Sequence, residues 1–487
     1  MRHLRLSPVI AVLLGVQGCA VGPDYQRPKL AAADVAAWTD SSAATAPISV
    51  APWRDIDDPT LADLIDAAIR HNLDVRAAQA NLIEARAQRD SIAGHRLPEL
   101  EATGSATRQQ ISANGELPVN QIPHFARQFS LFDAGFDASW EIDLWGQTRR
   151  TIEAARRRVD AADARQRDTL LQVVAEVVRT YAELRGNQES LRAAHDEAQA
   201  QSAIAALVHQ RFNAGEASSL DDVKSASQAH STAAVVATYD AGVHAAANQL
   251  ALLTGRPPEA LAELAAHAAQ VPATPVLVAV GLRSEVLRRR PDIQAAEADL
   301  AAATSDVGAA TANLFPSLSL IGAVGQDARR SGDFAKSGST YYSIGPSLHW
   351  PIFAGGSIRA DIRGANARAD AAAARYEKAV LGALADSETA LNRYAAAQST
   401  LLERQAAREQ SDTAVRLAQD RFHAGDADRL ELLEAEAAAA TAHQARASAA
   451  QEALAAYAAL IKSLGGPVPE AAPPLAATPA RAGNRLR

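Results

Sequence analysis

One cysteine, one methionine and an aromatic content of 5% define what this 487-residue chain does without. A lone cysteine cannot close an internal disulfide, which excludes the bridge framework of many small extracytoplasmic domains. So few aromatic residues leave little to fill a thick globular core. After its N-terminus the chain has no run of about 18 apolar residues, so no transmembrane helix is expected, and an integral place in a membrane would have to be built from β-strands. A formal net charge of −8 supplies no basic footprint, so nucleic acid is not expected as a partner. The twelve histidines include no His-Glu-x-x-His pair, and there is neither a phosphate-binding glycine loop nor a Gly-x-Ser-x-Gly elbow. The reading is therefore of a chain that is not an enzyme and has no cofactor and no metal site.

What is present is alanine, dominant from about residue 150 onward and mixed with Glu, Arg and Gln, the composition of long helices in close contact. At the N-terminus, Arg2 and Arg5 precede the short apolar stretch Val9 to Val16, as in a secretory signal. It closes on Val16-Gln17-Gly18-Cys19, similar to a bacterial lipobox although Gln17 is bulkier than usual there. Residues 1–18 are read as a lipoprotein signal peptide and Cys19 as the lipidation site, with residues 19–58 as a lipid-anchored N-terminal segment. The alternative is a chance cysteine beside an ordinary cleavage site. Acyl chains contribute about 0.8 kcal/mol per buried methylene, so several anchor stably. Ala20 stands where an Asp would resemble an inner-membrane retention signal, which directs the mature protein to the outer membrane.

The chain is written twice, with a period of roughly 210 residues. The run Asn72 to Leu82 matches Pro291 to Leu300, and Arg211-Phe212-Asn-Ala-Gly215 matches Arg421-Phe422-His-Ala-Gly425. Both copies close alike, on Leu253-Thr254-Gly255 and Ser463-Leu464-Gly465. The first repeat is read as residues 59–255 and the second as 282–465, joined by a linker over 256–281 and followed by a C-terminal tail over 466–487. Each begins with a helix, near 60–96 and 282–312, stopped by Pro98 or Pro316.

Alternating segments follow. From Phe132 to Leu144 the even positions are apolar (Phe132, Phe136, Trp140) and the odd ones polar or glycine (Asp133, Asp137, Glu141). The second copy repeats this with Tyr342, Ile344, Leu348, Trp350 and Ile352 against Ser343, Ser347 and His349. Such alternation predicts strands with one apolar face, and residues 98–109 and 316–327 are their weaker partners. A soluble sandwich would alternate too, but the length suits a membrane-spanning strand and Trp140, Trp145, Tyr342 and Trp350 suit an interfacial girdle. The carboxylates on the polar face fit a hydrated lumen better than paired-carboxylate hydrolysis. Four strands cannot close a barrel and edges cannot face lipid, so several chains must contribute. Residues 149–213 and 357–423 contain no proline; a helix of that length reaches about 95 Å. Each ends at a glycine, Gly215 or Gly425, and a returning helix completes a hairpin. Arg156-Arg157-Arg158 reads as a solvated helix face.

These features together resemble the TolC-like outer-membrane efflux proteins, and most nearly the lipoprotein branch called NodT- or OprM-type. Val21-Gly-Pro-Asp-Tyr-Gln-Arg-Pro28, Ile142-Asp-Leu-Trp-Gly146, Trp350-Pro-Ile-Phe-Ala-Gly-Gly356 and Arg421 to Leu433 carry the resemblance. It implies a mainly α fold with a transmembrane β-barrel: a homotrimer whose twelve strands close a barrel in outer-membrane lipid, continued by a twelve-helix periplasmic α-barrel. It also implies a periplasmic adaptor (membrane fusion protein) and an inner-membrane efflux pump as partners, and passive export of small toxic compounds such as drugs. A gate would lie at the periplasmic end, at the turns carrying Arg211, Phe212, Gly215, Arg421, Phe422 and Gly425. Mapped from the family, its rings fall on Leu430 and Glu434, with Glu431 on the adjacent turn and Asp221 and Asp222 at the matching place of the first hairpin. The family more often has Asp where Glu434 stands. Two other readings stay open: a duct for protein secretion with an ABC-type (type I) pump, and a structural lipoprotein that braces the envelope.

Overall fold

The computed structural model describes residues 20–28, 38, 49, 52–113, 123, 126–276 and 278–467. The signal segment, Cys19 and most of the 466–487 tail lie outside the described residues. Helices α1 (Pro59–His71) and α2 (Leu73–Gly94) lead into strands β1 (Glu99–Gln110) and β2 (Gln128–Ile142), then helices α3 (Gln147–Asn213) and α4 (Ser219–Leu253). A short helix α5 (Ala262–Ala266) lies between the repeats. The second repeat follows the same order: α6 (Arg283–Arg289), α7 (Pro291–Ala312), β3 (Ser317–Ala328), β4 (Thr340–His349), α8 (Ser357–Ala424) and α9 (Arg429–Ser463). The chain divides into two compact units, Met1–Pro28 with Ile83–Ala161 and Ala296–Arg375, and Lys29–Leu82 with Ala162–Ala295 and Tyr376–Arg487.

The first unit holds one four-stranded antiparallel sheet in the order β1-β2-β3-β4. Its register pairs even residues with even and odd with odd in every ladder: Phe136 faces Ala102 on one side and Val324 on the other, and Val324 faces Tyr342. One face therefore gathers Leu100, Phe136, Trp140, Leu320, Val324, Tyr342, Ile344 and Leu348, all exposed. The other gathers Glu101, Asp133, Asp137, Glu141, Asp327 and Ser343. On that polar face Thr103 donates to Asp137 at 3.2 Å and Tyr341 to Asp133 at 3.2 Å. The Tyr341 ring lies over the paired glycines Gly135 and Gly325, where a Cβ would come within 3.1 and 2.7 Å of its hydroxyl.

The strands stop short of the alternation expected from sequence. β2 ends at Ile142 because the Asp143 carboxylate turns back to accept from the Arg149 amide at 2.9 Å, capping the first turn of α3. Trp350 and Ile352 fall beyond β4, where Pro351 removes a ladder donor. The indoles at this junction bond to backbone: Trp140 to the Arg96 carbonyl at 2.9 Å, Trp145 to that of Pro316 at 2.9 Å, and Trp350 to that of Leu314 at 3.2 Å. Trp145 also stacks on Phe315, with ring centroids 4.6 Å apart. These carbonyls lie just past the ends of α2 and α7, where backbone acceptors lack intrahelical partners.

The second unit contains the main apolar core, with Leu61, Leu170, Tyr181, Leu250, Leu454, Tyr457 and Leu460 almost wholly buried. Each leading helix, expected as one piece, is two. Asn72 ends α1, and its carbonyl side-chain oxygen accepts from the amides of Asp74 and Val75 to start α2; asparagine favours such caps. Its amide then donates to the Leu253 carbonyl at the end of α4, 2.9 Å away. In the second repeat Arg290 breaks α6 from α7 ahead of Pro291 and donates to the Ser463 carbonyl at the end of α9, also at 2.9 Å. The duplication thus persists as one hydrogen bond made by two different residue types. In the linker, the carbonyls of Leu264, Ala265 and His267 accept from the buried Arg185 and Gln188 on α3.

Candidate functional site at the hairpin turns

Both long helices end in the same motif. Gly215 and Gly425 have φ of +80° and +81°, the left-handed region open to glycine. The amide after each glycine donates back to an arginine carbonyl: Glu216 to Arg211 at 2.8 Å and Asp426 to Arg421 at 2.9 Å. Seven residues after each phenylalanine the returning helices begin. Ser218 caps α4, its hydroxyl accepting from the Asp221 amide while the Asp221 carboxylate accepts from the Ser218 amide. Asp428 caps α9, accepting from the Glu431 amide at 2.9 Å.

Three of the five acidic or apolar candidates have local partners. Asp221 is turned onto Ser218, whose hydroxyl and amide hold its carboxyl below the usual carboxylate range. Asp222 pairs with His209 at 3.0 Å, and Glu431 with Arg421. Leu430 is half-buried and Glu434 exposed, and among the described residues Glu434 makes no ion pair. Phe212 is exposed, whereas Phe422 is half-buried against His423, with ring centroids 6.0 Å apart.

Sequence reading named Arg211 but missed the residue through which it joins the hairpins. Arg211, at the first turn, reaches Asp428, at the second, at 2.7 Å. Arg211 and then the Glu431 amide keep the Asp428 carboxyl below its ordinary range. A folded-state value lower than the unfolded one means that the tie is complete above about pH 4 and lost as pH falls further. The variant Asp428→Asn keeps a capping side chain but removes the charge. Spin labels at Glu216 and Asp426 should therefore give a broader distance distribution in Asp428→Asn than in the wild type at pH 7. The wild-type distribution should broaden only below about pH 4. An unchanged distribution in the variant would show that the ion pair holds nothing.

The family model described as "Outer membrane efflux protein" matches residues 64–256 and 282–466. The chain belongs to this outer membrane efflux family. It is 32% identical over 416 residues to the pyoverdine export outer membrane protein OpmQ of Pseudomonas aeruginosa, covering 85% of this chain and 86% of that one. It is 29% identical over 469 residues to nodulation protein T of Rhizobium leguminosarum, covering 96% and 98%. Among solved structures, the outer-membrane channel OprN superposes with a TM-score of 0.80 at 36% identity, covering 92% of this chain and 99% of that one. The NodT/OprM-type resemblance and the TolC-like fold hold. This efflux family member is an outer-membrane channel component of a tripartite efflux system that extends into the periplasm, which gives the two faces of its sheet and its long helical hairpins a shared purpose.

Proposed function

We propose that three copies of the chain close a twelve-stranded barrel around the acidic, odd-numbered sheet face, and that their hairpins form a periplasmic tunnel shut at its far end. The observation that carries this reading is a sheet with one face apolar over most of its length, interrupted by Arg108 and Gln110 only near its far end, and two open edges. Neither edge is tolerable in lipid without a neighbouring strand. The duct performs no chemistry; a periplasmic adaptor and an inner-membrane pump supply substrate and energy, and the cargo is small toxic compounds such as drugs.

Lipidation at Cys19 fits the placement of the residues after it. The Val21 amide donates to the Trp145 carbonyl at 3.1 Å, Asp24 pairs with Arg150 at 2.6 Å, and Gly22 lies so close to Gly308 that a Cβ there would be 2.4 Å from its Cα. The segment is thus fastened at the strand-to-helix junction, where an acyl chain would enter the membrane.

Closure is assigned to rings of Leu430 and Glu434, with Glu431, Asp221 and Asp222 contributing through their ion pairs and caps. Acidic rings across a threefold axis repel one another and favour cations. In planar bilayers the double variant Leu430→Ala/Glu434→Ala should conduct severalfold more than the wild type and be less cation-selective. Wild-type conductance and selectivity in the variant would remove these residues from the gate.

A further inference from the structure

Below the apolar face of the sheet, the first repeat concentrates arginine. Arg89 near the end of α2, Arg96 in the approach to β1, and Arg149, Arg156 and Arg157 in the first turns of α3 line one groove of about 620 Å³. The carboxylates nearby do not balance them. Asp90 pairs with Arg89 at 2.7 Å, Asp143 with Arg149 at 3.2 Å and Asp160 with Arg157 at 3.4 Å. Glu153, which also lines the groove, is engaged by Arg150 at 3.0 Å. Among the described residues, Arg96 and Arg156 have no carboxylate partner, and both are exposed.

The position of the groove identifies its occupant. Trp140 belongs to the apolar, even-numbered face, and its indole donates to the carbonyl of Arg96, so the arginines begin where that face ends. Arg150, which holds Glu153, also binds Asp24 and the Val21 carbonyl of the N-terminal segment. A ligand here would have its charged part among guanidinium groups and an apolar surface immediately above. Guanidinium forks bind phosphate oxygens in pairs and are less strongly hydrated than ammonium. We propose that this groove binds the phosphate of an anionic phospholipid from the inner leaflet, whose acyl chains lie along Leu100 and Trp140. Free phosphate lacks the chains, and cell-wall glycan has no use for the apolar surface. Each copy of the channel would then hold its own lipid at the membrane surface.

The proposal rests on the even-numbered face being the one that meets lipid. The test uses the full-length protein in a mild non-ionic detergent, and native mass spectrometry counts the lipid retained. Phosphatidylglycerol should be retained about tenfold more than phosphatidylcholine, and Arg96→Gln/Arg156→Gln should erase that preference. Arg158→Gln, whose arginine pairs instead with Asp306 at 2.5 Å, should leave it intact. Equal retention of the two lipids by the wild type would overturn the proposal without any variant. So would a preference that survives the double substitution, displacement of phosphatidylglycerol by inorganic phosphate, or binding to isolated cell-wall sacculi that the double substitution abolishes. Brominated acyl chains should quench tryptophan fluorescence in wild type and variant alike; absent quenching would instead discard the lipid-facing reading of the sheet.

Discussion

The substitution Phe136→Arg should keep the protein out of the outer membrane, whereas Asp137→Arg should leave it inserted and alter what it conducts. These neighbours lie near the middle of β2 and point to opposite faces. Phe136 sits between Ala102 and Val324 in the apolar field, and Asp137 between Glu101 and Ala323 in the polar one. An arginine facing lipid near the bilayer midplane costs about 2–4 kcal/mol, and three copies repeat that cost around one barrel. In the proposed trimer such a sum rivals the whole stability of an ordinary domain. On the lumen face the same side chain meets water and acidic neighbours. Membrane fractionation should show Phe136→Arg absent from the outer membrane and Asp137→Arg present at near wild-type level, with reduced cation preference in bilayers. Equal insertion of both would mean that the faces have been assigned wrongly.

The second large effect concerns the join between leading and returning helices. Gly255 has φ of +64°, and a Cβ there would stand 2.4 Å from the His71 carbonyl oxygen. Gly465, its counterpart, has φ of +62° and would place a Cβ 3.0 Å from the backbone of Arg290. Both positions combine a left-handed conformation with backbone contact that a side chain cannot push aside. Gly215 shares the conformation, but nothing stands within 4 Å of the added carbon. Gly215→Ala should therefore cost about 1–2 kcal/mol and yield folded channel. Gly255→Ala should exceed about 4 kcal/mol, the range of mutations that undo a fold. Thermal unfolding of the two variants in detergent measures the difference; equal midpoints would show that the α1–α4 contact gives way at no cost.

Much of this was legible in the sequence because the signals were local and periodic. Alternation marked β2 and β4, prolines marked the ends of the leading segments, and the two Ala-Gly turns located the hairpin ends. β1 was harder to read because Arg108 and Gln110 interrupt its apolar face near the far end. The breaks at Asn72 and Arg290 were missed for a different reason. Asparagine and arginine sit unremarkably in a helical pattern until a long-range acceptor, the carbonyl of Leu253 or Ser463, supplies their partner. The tie between Arg211 and Asp428 joins residues 217 positions apart, and no spacing rule reports such a pair. The Ser218–Asp221 capping box did carry a local signature, a serine followed three residues later by an acid. Reading it would have explained Asp221 before the structure did.

Export is tested most directly by intracellular accumulation of a panel of dyes, antibiotics and metal salts. The comparison is between the wild type, a strain lacking this chain, and the same strain restored with Cys19→Ala. One chemical class should accumulate severalfold in the deletion strain, and the unlipidated variant should restore export only in part. Unchanged accumulation across the whole panel, with the protein present in the wild-type membrane, would contradict a duct for small molecules.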